Sequence, residues 1–168
     1  MKTFNILFLC THNSARSILG EAVASTQTGG RFIGYSAGST PGRPVNPFAK
    51  ALAQEMGYPA SKLRSKSWDE FALPDAPKMD FIITVCDNAA GEVCPVWVGK
   101  PMTAHWGFPD PSQVEGSYET KRQAFIDVME GLKSRIQHLA DLPLDELNQM
   151  TIEEKLKTLA PISKSSLK

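Results

Sequence analysis

Residues 3–9, TFNILFL, read as a strand buried in a protein interior, and the chain sets Cys10 at its end. Five small or polar residues follow, Thr11 to Ala15, and then Arg16 opens a helix over 17–28. A buried strand that turns through such a loop into a helix belongs to an α/β fold, and the rest of the chain repeats the alternation. Residues 31–36 read as a second strand. Asn46 and Pro47 supply an N-cap and a first-turn proline for a helix carrying Phe48, Leu52 and Met56, which Gly57 stops. Residues 79–85 form a third apolar strand with Cys86 at its end, and residues 101–105 a short fourth. Ser117 caps a long helix with Phe125, Val128, Leu132, Ile136 and Leu139 on one face. A last helix starts at Thr151, with Glu154 in the capping-box position, and ends before Pro161. Alternating strands and helices imply a parallel sheet with right-handed crossovers, whose ligands bind at the carboxyl ends of the strands. Cys10, Cys86 and Asp110 then fall on one rim.

Composition narrows the function. The chain has 168 residues, of which 42% are apolar and 21% charged, ordinary values for one soluble domain. Lys plus Arg and Asp plus Glu each total 18, so no bulk field favours nucleic acid or an anionic membrane. The apolar run Ile6–Leu9 is too short for a signal peptide or a membrane span, and the expected location is the cytoplasm. Three cysteines are an odd number. In a reducing compartment they read as reactive thiols rather than a disulfide framework.

The stretch CTHNSAR is Cys-x5-Arg between a strand and a helix. The backbone N–H groups of such a loop wrap around a tetrahedral oxyanion, and the helix N-terminus adds its positive dipole end. Arg16 offers a planar fork to two oxyanion oxygens. The same field is expected to lower the pKa of Cys10 and make it a thiolate nucleophile. Thr11, His12, Asn13, Ser14, Ala15, Arg16 and Ser17 are the candidate oxyanion-binding residues. Ser14 and Ser17 carry hydroxyl donors, and Asn13 tolerates a left-handed backbone.

CTHNSARS resembles the C-x-x-N-x-x-R-S loop of low-molecular-weight protein tyrosine phosphatases, and more closely that of the arsenate reductases built on the same fold. SAGS at 36–39, VNP at 45–47, TVCDNAAGEVCP at 84–95 and AHWGFPDP at 104–111 extend the resemblance over roughly residues 3–140. It implies a flavodoxin-like three-layer α/β sandwich, with a four-stranded parallel sheet in the order 2-1-3-4. Residues 1–140 would form that domain, and 141–168 a helical extension with a disordered tail, SKSSLK. The extension helix, with Ile152, Leu156 and Leu159 on one side, is expected to pack on the domain.

The resemblance also implies roles. Asp110, in a D-P pair, would be the general acid that protonates the leaving oxygen. Ser112 and Gln113 follow Pro111 where the phosphatases place aromatics, so no aryl platform is evident. Cys86 and Cys94 suit a relay. Cys10 attacks arsenate, Cys86 attacks Cys10 and releases arsenite, and Cys94 moves the disulfide to Cys86–Cys94. Because a bridge needs Cα atoms within ~7 Å, the segment 86–94 is expected to be mobile. The lesser readings of the pair are buried packing and then zinc, with His105 or His12 as a further ligand, although this pair is spaced more widely than the paired cysteines of structural zinc sites.

The expected substrate is arsenate, with phosphate or sulfate as analogues. No bound cofactor is expected. The electron donor is an external thiol system, thioredoxin or glutathione with glutaredoxin, and the chain is taken as a monomer. A phosphatase using only Cys10, Arg16 and Asp110 is the alternative activity, and a non-catalytic oxyanion or redox sensor a third option. Asn13, Glu21 and Ser36 match positions that hold potassium in some of these reductases. The fourth position is Lys66, whose ammonium could replace the metal, so no metal is expected. The bland reading makes Lys66 a solvated lysine and Glu21 a helix-face glutamate. His105 and Trp106 are expected to be scaffold for the Asp110 loop, and His12 and His138 need no role beyond the surface.

Overall fold

The computed structural model describes residues 3–85, 101–144 and 149–158. Four parallel strands make one sheet in the order β2-β1-β3-β4. They are β1 (Phe4–Cys10), β2 (Phe32–Gly38), β3 (Phe81–Thr84) and β4 (Met102–His105). Four helices flank them: α1 (Arg16–Thr26), α2 (Pro47–Glu55), α3 (Tyr118–Asp141) and α4 (Gln149–Thr158). This is the topology expected from the sequence.

The central strand β1 is buried on both faces, because both carry apolar side chains. Phe4, Ile6, Phe8 and Cys10 share the main core with Ile18, Leu19 and Val23 of α1, Leu52 of α2, and Phe125 to Leu139 of α3. Leu7 and Leu9 face the other way, onto Trp68, Phe71 and Met79. The five residues read as the apolar face of α3 are all buried. Ile152 and Leu156 bury α4 in the same main core, so the last helix does pack on the domain.

The caps behave as their chemistry requires. Asn46 Oδ1 accepts from Phe48 N at 2.9 Å, and Ser117 Oγ from Thr120 N at 3.2 Å. Some boundaries move. Strand β1 includes Cys10, since Cys10 pairs with Gly38 and its carbonyl accepts from Ser39 N. Strand β2 continues to Gly38 because the 66–67 segment bonds to its outer edge. Helix α1 spans 16–26 rather than 17–28, and α4 begins at Gln149 rather than Thr151. Cys86, Cys94, the segment between them, Leu159 and the SKSSLK tail lie outside the described residues. Among the described residues no helix is long and apolar enough to cross a membrane.

Candidate active site

Cys10 is the last residue of β1, and it is 5% exposed. From Cys10 to Ser14 the loop is suspended by its carbonyls. Cys10 O accepts from Ser39 N, Thr11 O from Thr40 N at 2.8 Å, and Ser14 O from Asn46 N at 2.8 Å. His12 O accepts from Ser65 Oγ at 2.8 Å. In a trans peptide the N–H points opposite to the carbonyl before it. The amides of Thr11, His12, Asn13 and Ala15 therefore face away from this scaffold. Ala15, at the N-cap of α1, has no side chain to occupy the first helical amides. Loop amides turned away from such a scaffold are the groups an oxyanion cradle uses.

Asn13 makes the loop possible. It is fully buried with φ of 53°, a left-handed conformation asparagine tolerates. Its amide donates to Ser17 Oγ at 2.8 Å, which leaves the Ser17 proton available to another acceptor. Its Oδ1 accepts from Lys66 N at 3.0 Å and lies 3.3 Å from Lys66 Nζ. Gly38 admits the loop to the sheet, since a Cβ there would meet Thr11 O at 2.5 Å and Asn13 N at 2.9 Å.

Behind the loop sits a buried ion pair. Lys66 is 7% exposed and Glu21 4%, so Lys66 is not the solvated lysine of the bland reading, and Glu21 is buried with it. Burial is unavoidable here because α1 presses this face of Glu21 onto β2. Lys66 Nζ donates to Arg64 O at 2.9 Å and Ser36 Oγ at 3.2 Å, and lies 3.7 Å from Glu21 Oε1. Glu21 also accepts from Ser36 Oγ at 2.6 Å and from the Tyr58 hydroxyl. An ammonium thus stands among Asn13, Ser36 and Glu21. Burial pulls Lys66 below the ordinary lysine value, and Glu21 only partly opposes this. Burial, and the bond Tyr58 gives Glu21, hold the Tyr58 hydroxyl well above its usual value, so it remains a donor.

Asp110 comes to the cradle from the far edge of the sheet. Its Oδ2 lies 3.7 Å from Arg16 Nη2, while Arg16 Nη1 donates to Phe108 O at 2.8 Å. Its Oδ1 accepts from Ser112 N at 2.9 Å and Ser112 Oγ at 2.7 Å, capping a short turn at Pro111–Gln113. Partial burial pushes this carboxyl up. The two Ser112 bonds and the Arg16 charge outweigh it and hold the group below its ordinary value.

The structure therefore brings Cys10, the 11–17 loop, Arg16 and Asp110 into one site, whereas Cys86 and Cys94 fall outside the described residues. The His12 ring meets Thr40 O at 3.1 Å, the His105 ring meets Thr84 Oγ1 at 2.7 Å, and Trp106 is fully buried. Sequence reasoning missed Ser112 and the Phe108 carbonyl. The first had a signal, because Asp-Pro-Ser is an N-cap followed by a donor two residues on. The second had none, since any residue carries a carbonyl.

Among relatives, an arsenate reductase from Halalkalibacterium halodurans is 36% identical over 136 residues, covering 81% of this chain and 94% of that protein. A solved arsenate reductase in its oxidized state superposes with a TM-score of 0.63 at 26% identity, over 82% of this chain and 97% of the other. A thioredoxin-dependent arsenate reductase from Corynebacterium glutamicum superposes with a TM-score of 0.56 at 27% identity, over 82% of this chain. The present chain spans only 60% of that longer protein. The sequence model for low molecular weight phosphotyrosine protein phosphatases matches residues 5–156. With a buried cysteine at the end of β1, an amide-lined loop and an arginine opening α1, the chain belongs to that family.

Proposed function

We propose that this protein reduces arsenate to arsenite. The observation that carries the reading is Cys10 at the end of β1, followed by a loop suspended by its carbonyls and by Arg16, which stands 3.7 Å from Asp110. The similarity to proteins named arsenate reductases selects the reaction among those such a site could run.

The chemistry follows from the groups. Arsenate enters the cradle and draws the Arg16 guanidinium onto its oxygens. Asp110 then loses its cation and gains an anionic neighbour, and both changes raise its affinity for a proton. The positive end of α1 favours the Cys10 thiolate, which attacks arsenic. One As–O bond breaks, and Asp110 protonates the departing hydroxide as water. The Cys86 thiolate next attacks Cys10 Sγ. The S–As bond breaks, arsenic keeps the electron pair and leaves as arsenite, and a Cys10–Cys86 disulfide remains. Cys94 attacks Cys86, frees the Cys10 thiolate and leaves a Cys86–Cys94 disulfide. An external dithiol protein reduces it. Thioredoxin is the proposed donor, because the Corynebacterium glutamicum relative is thioredoxin-dependent. The Lys66 ammonium stands among Asn13, Ser36 and Glu21, so the proposed mechanism places no cation in that space. The family itself favours one second reading, hydrolysis of phosphate monoesters by Cys10, Arg16 and Asp110 alone.

Arsenite formation with thioredoxin, thioredoxin reductase and NADPH tests the proposal in the wild type and in Cys94→Ser. Sustained wild-type turnover that drops to a single turnover in the variant is expected. Undiminished turnover in Cys94→Ser would remove the relay. Turnover only with glutathione and glutaredoxin would replace the donor, and turnover only of para-nitrophenyl phosphate would establish the phosphatase reading.

A further inference from the structure

Asp110 lies at the end of a segment, Trp106 to Asp110, that leaves β4 and is held from outside the cradle. Its main chain prolongs the sheet ladder, with Trp106 N donating to Thr84 O at 2.8 Å and Phe108 N to Val85 O at 3.1 Å. The Phe108 ring rests on α3 where that helix has Gly131. A Cβ there would lie 2.7 Å from the ring, and the Arg135 guanidinium sits 5.2 Å from the ring centre. The Trp106 indole is fully buried, and its Nε1 donates to Leu156 O at 3.1 Å.

Leu156 belongs to α4 (Gln149–Thr158), so this bond ties the acid segment to the C-terminal helix. Ile152 and Leu156 lie in the same core as Trp106, so helix and indole are packed as well as bonded. Beyond Trp106, the same short segment grips Arg16 twice. Phe108 O holds one guanidinium nitrogen at 2.8 Å, and Asp110 Oδ2 stands 3.7 Å from the other.

We propose that the C-terminal helix α4 is a positioning element for the catalytic acid: the Leu156 carbonyl, through the Trp106 indole, sets where Asp110 stands relative to Arg16. This rests on the reading of Asp110 as proton donor. The coupling is mechanical. A displaced Trp106 disturbs the ladder edge, Thr84 O and Val85 O, that it shares with Phe108, and Pro109 stiffens the link from Phe108 to Asp110. Misplacing a reacting group by a fraction of an ångström to an ångström lowers rate without removing any group that touches substrate.

Trp106→Phe in the full chain keeps most of the buried ring and deletes the donor. Arsenite turnover is measured for wild type, Trp106→Phe, Asp110→Asn and the double variant, a complete mutant cycle. Trp106→Phe is expected to lower kcat about fivefold to tenfold, and to add less than about twofold when Asp110 is already asparagine. Equal falls in both backgrounds would mean general structural damage and overturn the proposal, as would an unchanged kcat. Ile152→Ala loosens the packing of α4 while leaving the Trp106 donor and Asp110 in place. It runs through the same cycle should Trp106→Phe fail to fold, and the same non-additivity is expected. A wild type that never reduces arsenate removes the proposed reaction instead. The cycle is then read on para-nitrophenyl phosphate, where Asp110 would again deliver the proton, and coupling or its absence decides the inference there.

Discussion

The two flanks of the cradle are built on opposite principles. On the β2 flank, a buried Lys66–Glu21 pair with Asn13, Ser36 and Tyr58 fixes the loop that would bind the oxyanion. On the β4 flank, Asp110 hangs on a segment held by two ladder bonds, packed rings and one indole bond, and its side chain is 30% exposed. The first flank keeps its charges dry. The second leaves its charge partly in water, beside an arginine that an incoming anion would take away. A site needs both: geometry that does not change for binding, and a carboxyl whose protonation does change for catalysis.

The sharpest way to break this contrast is Lys66→Met. It leaves Glu21 buried without its cation and takes one support from Asn13. Removing one member of a buried pair costs about 3–5 kcal/mol. Urea unfolding is expected to show a loss of that size. A potassium salt should raise the midpoint of the variant more than choline chloride does, and leave the wild type unmoved. A loss under about 1 kcal/mol would mean that the pair does not carry the flank. Asp110→Asn is the counterpart on the other flank. It should lower arsenite turnover about a hundredfold, or roughly 2.7 kcal/mol of barrier, with a loss of stability of only about 1 kcal/mol, far smaller than that of Lys66→Met.

The two flanks were also unequally legible. The strand–loop–helix unit of the proposed cradle could be read directly, because its pattern is local: Cys10 at a strand end, small residues, Arg16 at a helix start. Asp110 could be placed on the same rim because it follows β4, and parallel strands share their carboxyl ends. The contacts that hold each flank could not. Lys66 meets Glu21 far along the chain, and nothing local marks a lysine as buried. Trp106 meets a carbonyl 50 residues away, and a carbonyl has no sequence signature. Strand ends shifted for a similar reason, since β2 is lengthened by the 66–67 segment bonding to its edge.

A smaller effect tests the exposed carboxyl itself. The folded Asp110 carboxyl lies below its ordinary value of 3.8, so its contribution is present above that value and is lost as pH falls through the folded one. Ser112→Ala deletes the 2.7 Å hydroxyl bond and keeps the backbone one. Expected is a loss of up to about 1 kcal/mol at about pH 6 that shrinks towards about pH 3, where the carboxyl is increasingly protonated with or without Ser112. Urea midpoints at the two pH values check it, and a loss that grew on acidification would contradict the sign.

The smallest effect lies two residues from the largest. Arg64 makes a two-pronged pair with Glu70, at 2.8 and 2.6 Å, which on distances alone is better than the pair Lys66 makes with Glu21. Its side chains, however, are 59% and 42% exposed, against 6% and 5% for Lys66 and Glu21. Water already solvates both members, and salt screens what attraction is left. Arg64→Ala should therefore cost less than about 1 kcal/mol in dilute buffer and nothing measurable in about 1 M salt. The Arg64 carbonyl, which accepts from Lys66 Nζ, survives the substitution, so the variant removes the surface pair and spares the buried one. A cost near that of Lys66→Met would make bond length, not burial, the quantity that matters on this flank, and the contrast with Asp110 would have to be drawn again on that basis.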